Sequence, residues 1–168
     1  DRVLAVDGEG NAFDGDEMIA LIALERAERD ALGGGVAVTV MSNHGFRQAM
    51  ENAGIEVELN RVGDRYVLES LRQKNWTFGG EQSGHIISMD YAPTGDGIAA
   101  ALMLLESLGD SELASSRVMT KLPQELINVE VADRDALGEA DRVWKEVDEA
   151  GSELGDDGRI LLRPSGTE

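Results

Sequence analysis

Gly80-Glu81-Gln82-Ser83-Gly84-His85 places a carboxylate, a hydroxyl and an imidazole close together in the chain. Glu81, Ser83 and His85 alternate with Gln82 and Gly84. On an extended backbone, alternate residues point to the same face. All three polar groups would then line one surface. A carboxylate beside a hydroxyl suits recognition of paired sugar hydroxyls. A histidine beside them can move a proton near neutral pH. The same stretch also reads as a polar loop between two short strands, with Glu81 and His85 simply paired.

Other groups with chemical potential are scattered. Arg163-Pro164-Ser165-Gly166-Thr167 follows an apolar run. Arginine presents a planar fork of donors to phosphate, and hydroxyls with turn amides can complete an anion nest. A plain polar turn after a strand reads equally well there. Asp1 is an oxygen donor of the kind Mg²⁺ prefers, and Arg2 stands beside it; a lone terminal aspartate is also an ordinary solvated end. Gly63-Asp64-Arg65 falls at a strand-to-helix junction, the ligand rim of an open α/β sheet. Asp64 there is a helix cap, a ligand group or both. Ser42-Asn43-His44 occupies a similar junction, where a cap is the simpler reading.

The elements that must position these groups alternate. Val3–Val6, Val36–Met41, Ile55–Leu59, Trp76–Gly79 and His85–Met89 read as strands. Helices are expected from the Asp14 or Asp16 cap to about Leu32, from Ser42 or Asn43 to before Gly54, over about Arg65–Lys74, and over Ile98–Leu108. The half Glu25–Asp30 of the first helix is charged and expected in solvent. A short helix is expected near Ser111–Ser115. The fold class is α/β: a mixed, largely parallel sheet layer with helices over residues 1–121. Residues 122–168 read as an incomplete α+β domain, with strands over Leu126–Val131 and Arg159–Leu162 around a helix at about Asp135–Leu154.

Composition narrows the partners. The 168 residues carry a formal charge of −18 and no basic run. Nucleic acid and anionic membranes are therefore not expected partners. There is no cysteine, hence no disulfide or thiolate chemistry, which suits a cytoplasmic protein. No apolar run reaches membrane-spanning length. The absence of an initiating methionine and the terminal Ser-Gly-Thr-Glu lead us to expect a fragment of a longer chain.

Taken together, these stretches resemble the α-D-phosphohexomutase superfamily. Gly80–His85 is similar to its sugar-binding signature. Arg163–Glu168 is similar to the phosphate-binding loop of its last domain. Asp1-Arg2 is similar to the tail of its metal loop, Asp-Gly-Asp-Gly-Asp-Arg. Val40–Asn43, Gly63–Val67, Gly80–Ile87, Asp90-Tyr91 and Thr94–Gly97 point to the branch acting on glucosamine phosphates, with mannose and glucose phosphates as the alternative.

The resemblance implies interconversion of 6-phospho and 1-phospho sugars through a phosphoserine and a bisphosphate. It implies Asp1 as one Mg²⁺ ligand and Arg2 as a neutraliser of phosphoryl charge. Glu81 and Ser83 would hold sugar hydroxyls, and His85 would transfer a proton. Gly63, Asp64 and Arg65 would contact substrate; Arg163, Ser165, Gly166 and Thr167 would hold the phosphate that is not reacting. The superfamily's Ser-His-Asn-Pro serine motif does not occur in this sequence. The expected partners are therefore a sugar phosphate, preceding domains of the same chain and, through uncovered apolar surfaces, a second copy. A non-catalytic sugar-phosphate binding module is the competing expectation.

Overall fold

A computed structural model describes residues 1–133, 135–155 and 158–164. The chain divides into two compact units, Asp1–Leu122 and Pro123–Glu168.

The first unit opens with a small antiparallel hairpin, β1 (Ala5–Val6) and β2 (Ala12–Phe13). Its turn is tied by Asp7, whose carboxylate accepts the Glu9 and Asn11 amides at 2.9 and 2.8 Å. The buried strand expected over Val3–Val6 is thus a short hairpin arm outside the main sheet, with Leu4 and Val6 exposed.

Helix α1 (Gly15–Glu28) starts at Asp14, which accepts the Glu17 amide while Glu17 reaches back to the Asp14 amide. This reciprocal cap satisfies two otherwise orphaned donors. Met18 to Ala23 are all buried, so this stretch of the helix is enclosed on every side rather than amphipathic. Glu17 is buried too, paired with Arg117, whose guanidinium lies 4.0 Å from the Phe13 ring centroid.

Glu28, Arg29 and Asp30 are exposed as expected of the charged second half, but Arg26 is the exception. It is buried, donates to Asp90 at 3.1 Å and Ser88 at 3.3 Å, and lies 5.1 Å from the Phe78 ring centroid. Three partners on another part of the chain take its charge inside.

Then follow β3 (Val36–Thr39), α2 (His44–Asn52), β4 (Val57–Asn60), α3 (Asp64–Lys74), β5 (Phe78–Gly80), β6 (Ile86–Ser88), β7 (Ala92–Gly95) and α4 (Gly97–Leu108). The five-stranded sheet has the order β4-β3-β5-β6-β7. β3 pairs parallel with β4 and β5, while the β5–β6 and β6–β7 pairs are antiparallel. A single 3₁₀ turn at Leu113–Ser115 stands where a short helix was expected.

Strand alternation sorts the core. Val36, Val38, Phe78 and Ile86 face a cluster with α1, α2 and α4; Ala37 and Ile87 face Val67 and Leu71 of α3. Helices therefore cover both faces of the sheet, as strands paired in parallel require. The sequence reading missed β7, because Pro93 and Gly95 argue against a strand. β7 is the edge of its sheet, where proline is tolerated.

In the second unit, a 3₁₀ turn (Asp135–Glu139) leads into α5 (Asp141–Leu154). The strands expected over 126–131 and 159–162 are not found among the described residues. Leu126, Ile127, Val129 and Val131 are 58–74% exposed. Their β-branched pattern is the strand signal, but a strand needs a ladder partner to exist.

Candidate functional site

The stretch Glu81–His85 is a turn, not an extended segment. It closes the β5–β6 hairpin: the Glu81 amide donates to the His85 carbonyl at 2.9 Å, and the Gly84 amide donates to the Glu81 carbonyl at 3.0 Å. Gly84 sits at φ +87°, and a Cβ there would lie 2.1 Å from the Val3 carbonyl oxygen. Both the backbone sign and the close approach demand glycine. Strand alternation therefore does not set where the three side chains point, which corrects that expectation.

Three other segments hold the turn. The Val3 amide donates to the Gly84 carbonyl at 3.0 Å, and the Gly15 amide at the start of α1 donates to the Gln82 carbonyl at 2.9 Å. The Gly63 amide, just ahead of α3, donates to Glu81 Oε1 at 3.1 Å. The N-terminal segment, α1 and α3 thus converge on one hairpin tip.

His85 is the centre of this cluster. Its Nδ1 lies 3.0 Å from Asp1 Oδ1, and its Nε2 lies 3.5 Å from Asp64 Oδ2. The imidazole is 13% exposed, against 83% for the Asp1 side chain and 57% for Asp64. The ring lies against Gly95, where a Cβ would stand 2.1 Å from Nε2. Gly95, not among the candidate site residues named from the sequence, thus floors the His85 ring. Its signal was the Thr94-Gly95-Asp96-Gly97 run before an apolar helix.

The expected site residues divide as follows. Asp1, Gly63, Asp64, Glu81 and His85 come together. Ser83 is exposed at the hairpin tip. Arg65 is exposed; it donates to the Tyr66 hydroxyl at 2.8 Å and stacks on that ring. Arg2 and Asp1 join Thr94, Asp96, Ile98 and Leu102 around an open groove of about 520 Å³. Asp96 caps α4, and the amides of Ala99 and Ile98 hold its carboxyl below the usual carboxylate range. Arg163, in the second unit, is exposed, with a 3.4 Å bond to the Pro164 carbonyl. Ser165, Gly166 and Thr167 lie outside the described residues.

As a donor set for Mg²⁺, Asp1 is chemically apt, being an exposed carboxylate at the groove. No cluster of three acidic or histidine ligands occurs among the described residues. Among them, too, no helix is long and apolar enough to cross a membrane.

The Glu81 carboxylate and the His85 imidazole thus meet the start of α3 on a hairpin tip lined by Gly84 and Gly95. Two family models cover nearly all of the chain. The phosphoglucomutase/phosphomannomutase alpha/beta/alpha domain III matches residues 14–126, and the C-terminal domain of the same family matches residues 126–168. The chain belongs to the phosphoglucomutase/phosphomannomutase family.

Among curated proteins it is 48% identical over 171 residues to a phosphoglucosamine mutase of Pseudoalteromonas atlantica. It is 49% identical over 172 residues to one of an Arthrobacter species. Both matches cover all of this chain but 38% of the relative, so the chain spans well under half of their length. Among solved structures, Aspergillus fumigatus N-acetylphosphoglucosamine mutase, in complex with GlcNAc-6P and magnesium, superposes with a TM-score of 0.75. That match covers 98% of this chain and 41% of the other at 21% identity, and it shows the shared fold.

Proposed function

We propose that the intact parent of this chain interconverts glucosamine 6-phosphate and glucosamine 1-phosphate, and that this chain supplies the sugar-recognition side of its cleft. The observation that carries the reading is the convergence of Asp1, Gly63, Asp64, Glu81 and His85 on one hairpin tip in a chain of this family. The identity of 48–49% to phosphoglucosamine mutases favours the amino sugar.

Glu81, with one oxygen held by the Gly63 amide, offers the other to sugar hydroxyls, and Ser83 adds a hydroxyl at the tip. Gripping the same hydroxyls in either orientation lets one site accept a 1-phosphate or a 6-phosphate. His85 takes the proton of the attacking hydroxyl and returns it to the leaving one. Arg2 neutralises phosphoryl charge, and Arg163 with Ser165, Gly166 and Thr167 holds the distal phosphate. Gly63, Asp64 and Arg65 border the substrate. Mg²⁺, held in part by Asp1, would supply charge neutralisation at the transferring phosphoryl group; the GlcNAc-6P and magnesium in the Aspergillus enzyme support both ligands. The phosphoserine comes from preceding domains of the parent, so this chain alone is inactive. Residues 1–121 are then the third domain and 122–168 part of the fourth, in a cytoplasmic enzyme able to pair with a second copy.

Side-by-side turnover of glucosamine, mannose and glucose 6-phosphates by the parent tests the assignment. Glucosamine 6-phosphate should be the best substrate. Faster turnover of mannose 6-phosphate would replace this reading with a phosphomannomutase, and no turnover of any of the three would leave a binding module.

A further inference from the structure

We infer that Asp64 is a positioning residue for His85: the start of α3 aims the imidazole of the hairpin tip. The inference rests on reading this tip as the sugar-phosphate site and assigns Asp64 a task other than gripping substrate.

The geometry is specific. His85 Nε2 is buried and makes no hydrogen bond among the described residues, while Asp64 Oδ2 stands 3.5 Å away. Gly95 closes one side of the ring, since even a methyl group there would overlap it. The ring can therefore turn only where Asp1 and Asp64 allow. Asp1 is 83% exposed and is itself a donor to cations. Asp64 is the anchored partner: it occupies the first turn of α3, its Oδ1 accepts the Arg65 amide at 2.8 Å, and α3 is packed on the sheet through Val67 and Leu71. One residue earlier, the Gly63 amide holds Glu81. A single helix start thus orients both the carboxylate and the imidazole of the tip. Orienting partners of this kind matter because proton transfer requires close alignment of donor and acceptor.

Two readouts test the inference, and only one depends on activity. The chain contains two histidines, so the ring protons of His85 are readily assigned by NMR at one fixed pH. Contacts between the His85 ring and the Gly95 α-protons should be strong in the unaltered chain. They should be lost in Asp64→Ser, which keeps a polar group at the helix start but is too short to reach the ring. They should return in Asp64→Asn. In the intact parent, Asp64→Ser should lower kcat by about tenfold with KM changed less than about twofold, and Asp64→Asn should recover most of the loss. Ring contacts that survive in Asp64→Ser, or a change confined to KM, would overturn the inference. A parent that turns over no hexose phosphate would instead defeat the proposed function, and the ring contacts would still decide the role of Asp64.

Discussion

The Glu81 carboxylate accepts the Gly63 amide at 3.1 Å, tying the hairpin tip between β5 and β6 to the start of α3. One oxygen of the group proposed to grip the sugar is therefore already engaged, and the bond orients the carboxylate before a ligand arrives. Preorganisation of this kind reduces the ordering cost of binding.

Replacing Glu81 with alanine in the parent removes both the grip and its tether. A hydrogen bond to a charged group is worth about 1.5–3 kcal/mol, so kcat/KM for glucosamine 6-phosphate should fall by roughly ten- to hundredfold. Glu81→Gln keeps an acceptor for Gly63 and should lose less. Steady-state kinetics on the two variants measure this; equal, unchanged values would remove Glu81 from substrate recognition.

Gly95→Ala should act on His85 without unfolding the chain. The new methyl group meets the end of a side chain, not backbone, so the imidazole swings away from Asp1 and Asp64. Turnover in the parent should drop about tenfold or more, while the melting temperature of this chain shifts little. A fully active Gly95→Ala enzyme would count against the proposed role of the His85 ring in its present position.

Asp16 gives a pH prediction. It is fully buried, and burial pushes its carboxyl up to about 6, against the Asn43 amide and the Ser42 hydroxyl, which favour the anion. The unfolded chain releases this proton near 3.8, before the folded chain does. Stability tied to Asp16 is therefore fully present below about 4 and is lost as pH rises through about 6. The shift corresponds to something on the order of 3 kcal/mol. Asp16→Asn keeps an acceptor for Asn43, so it should flatten this part of the stability curve and melt higher at pH 7.5. Parallel melting curves for the two chains between pH 4 and 7 would discard the account.

Arg26→Ala should destabilise the chain by about 2–4 kcal/mol, because it empties a buried site and strips Asp90, Ser88 and Phe78 of their partner. Arg26→Met refills the space and should cost about 1 kcal/mol or less. Urea midpoints give both numbers. Equal losses for Met and Ala would mean that charge, not volume, dominates there.

Much of the architecture is legible in the sequence because its signals are local. The β-branched run at Val36–Thr39, the caps at Asp14, Asn43 and Asp96, and the apolar Met18–Ala23 each act through near neighbours. β7 was hidden because its proline matters only relative to its place at the sheet edge. Arg26 was misread because its hydrogen-bond partners lie more than sixty residues away. The site followed the same division. Glu81 and His85 stand out by type and spacing, but the turn of the backbone, the glycine floor and the link to Asp64 arise only when separate segments meet.

Asn43 has a consequence for any attempt to dissect the chain. Besides capping α2, it donates to the Leu122 carbonyl at 2.8 Å and accepts the Leu122 amide at 3.0 Å. The Thr120 carbonyl lies so close to Gly45 that no side chain fits between them. The segment leaving the first unit is thus a clasp on the start of α2. A protease cut just after Leu122 should release an intact, exchange-protected core, whereas trimming back to Ser116 should unfasten α2 and expose Phe46 and Met50.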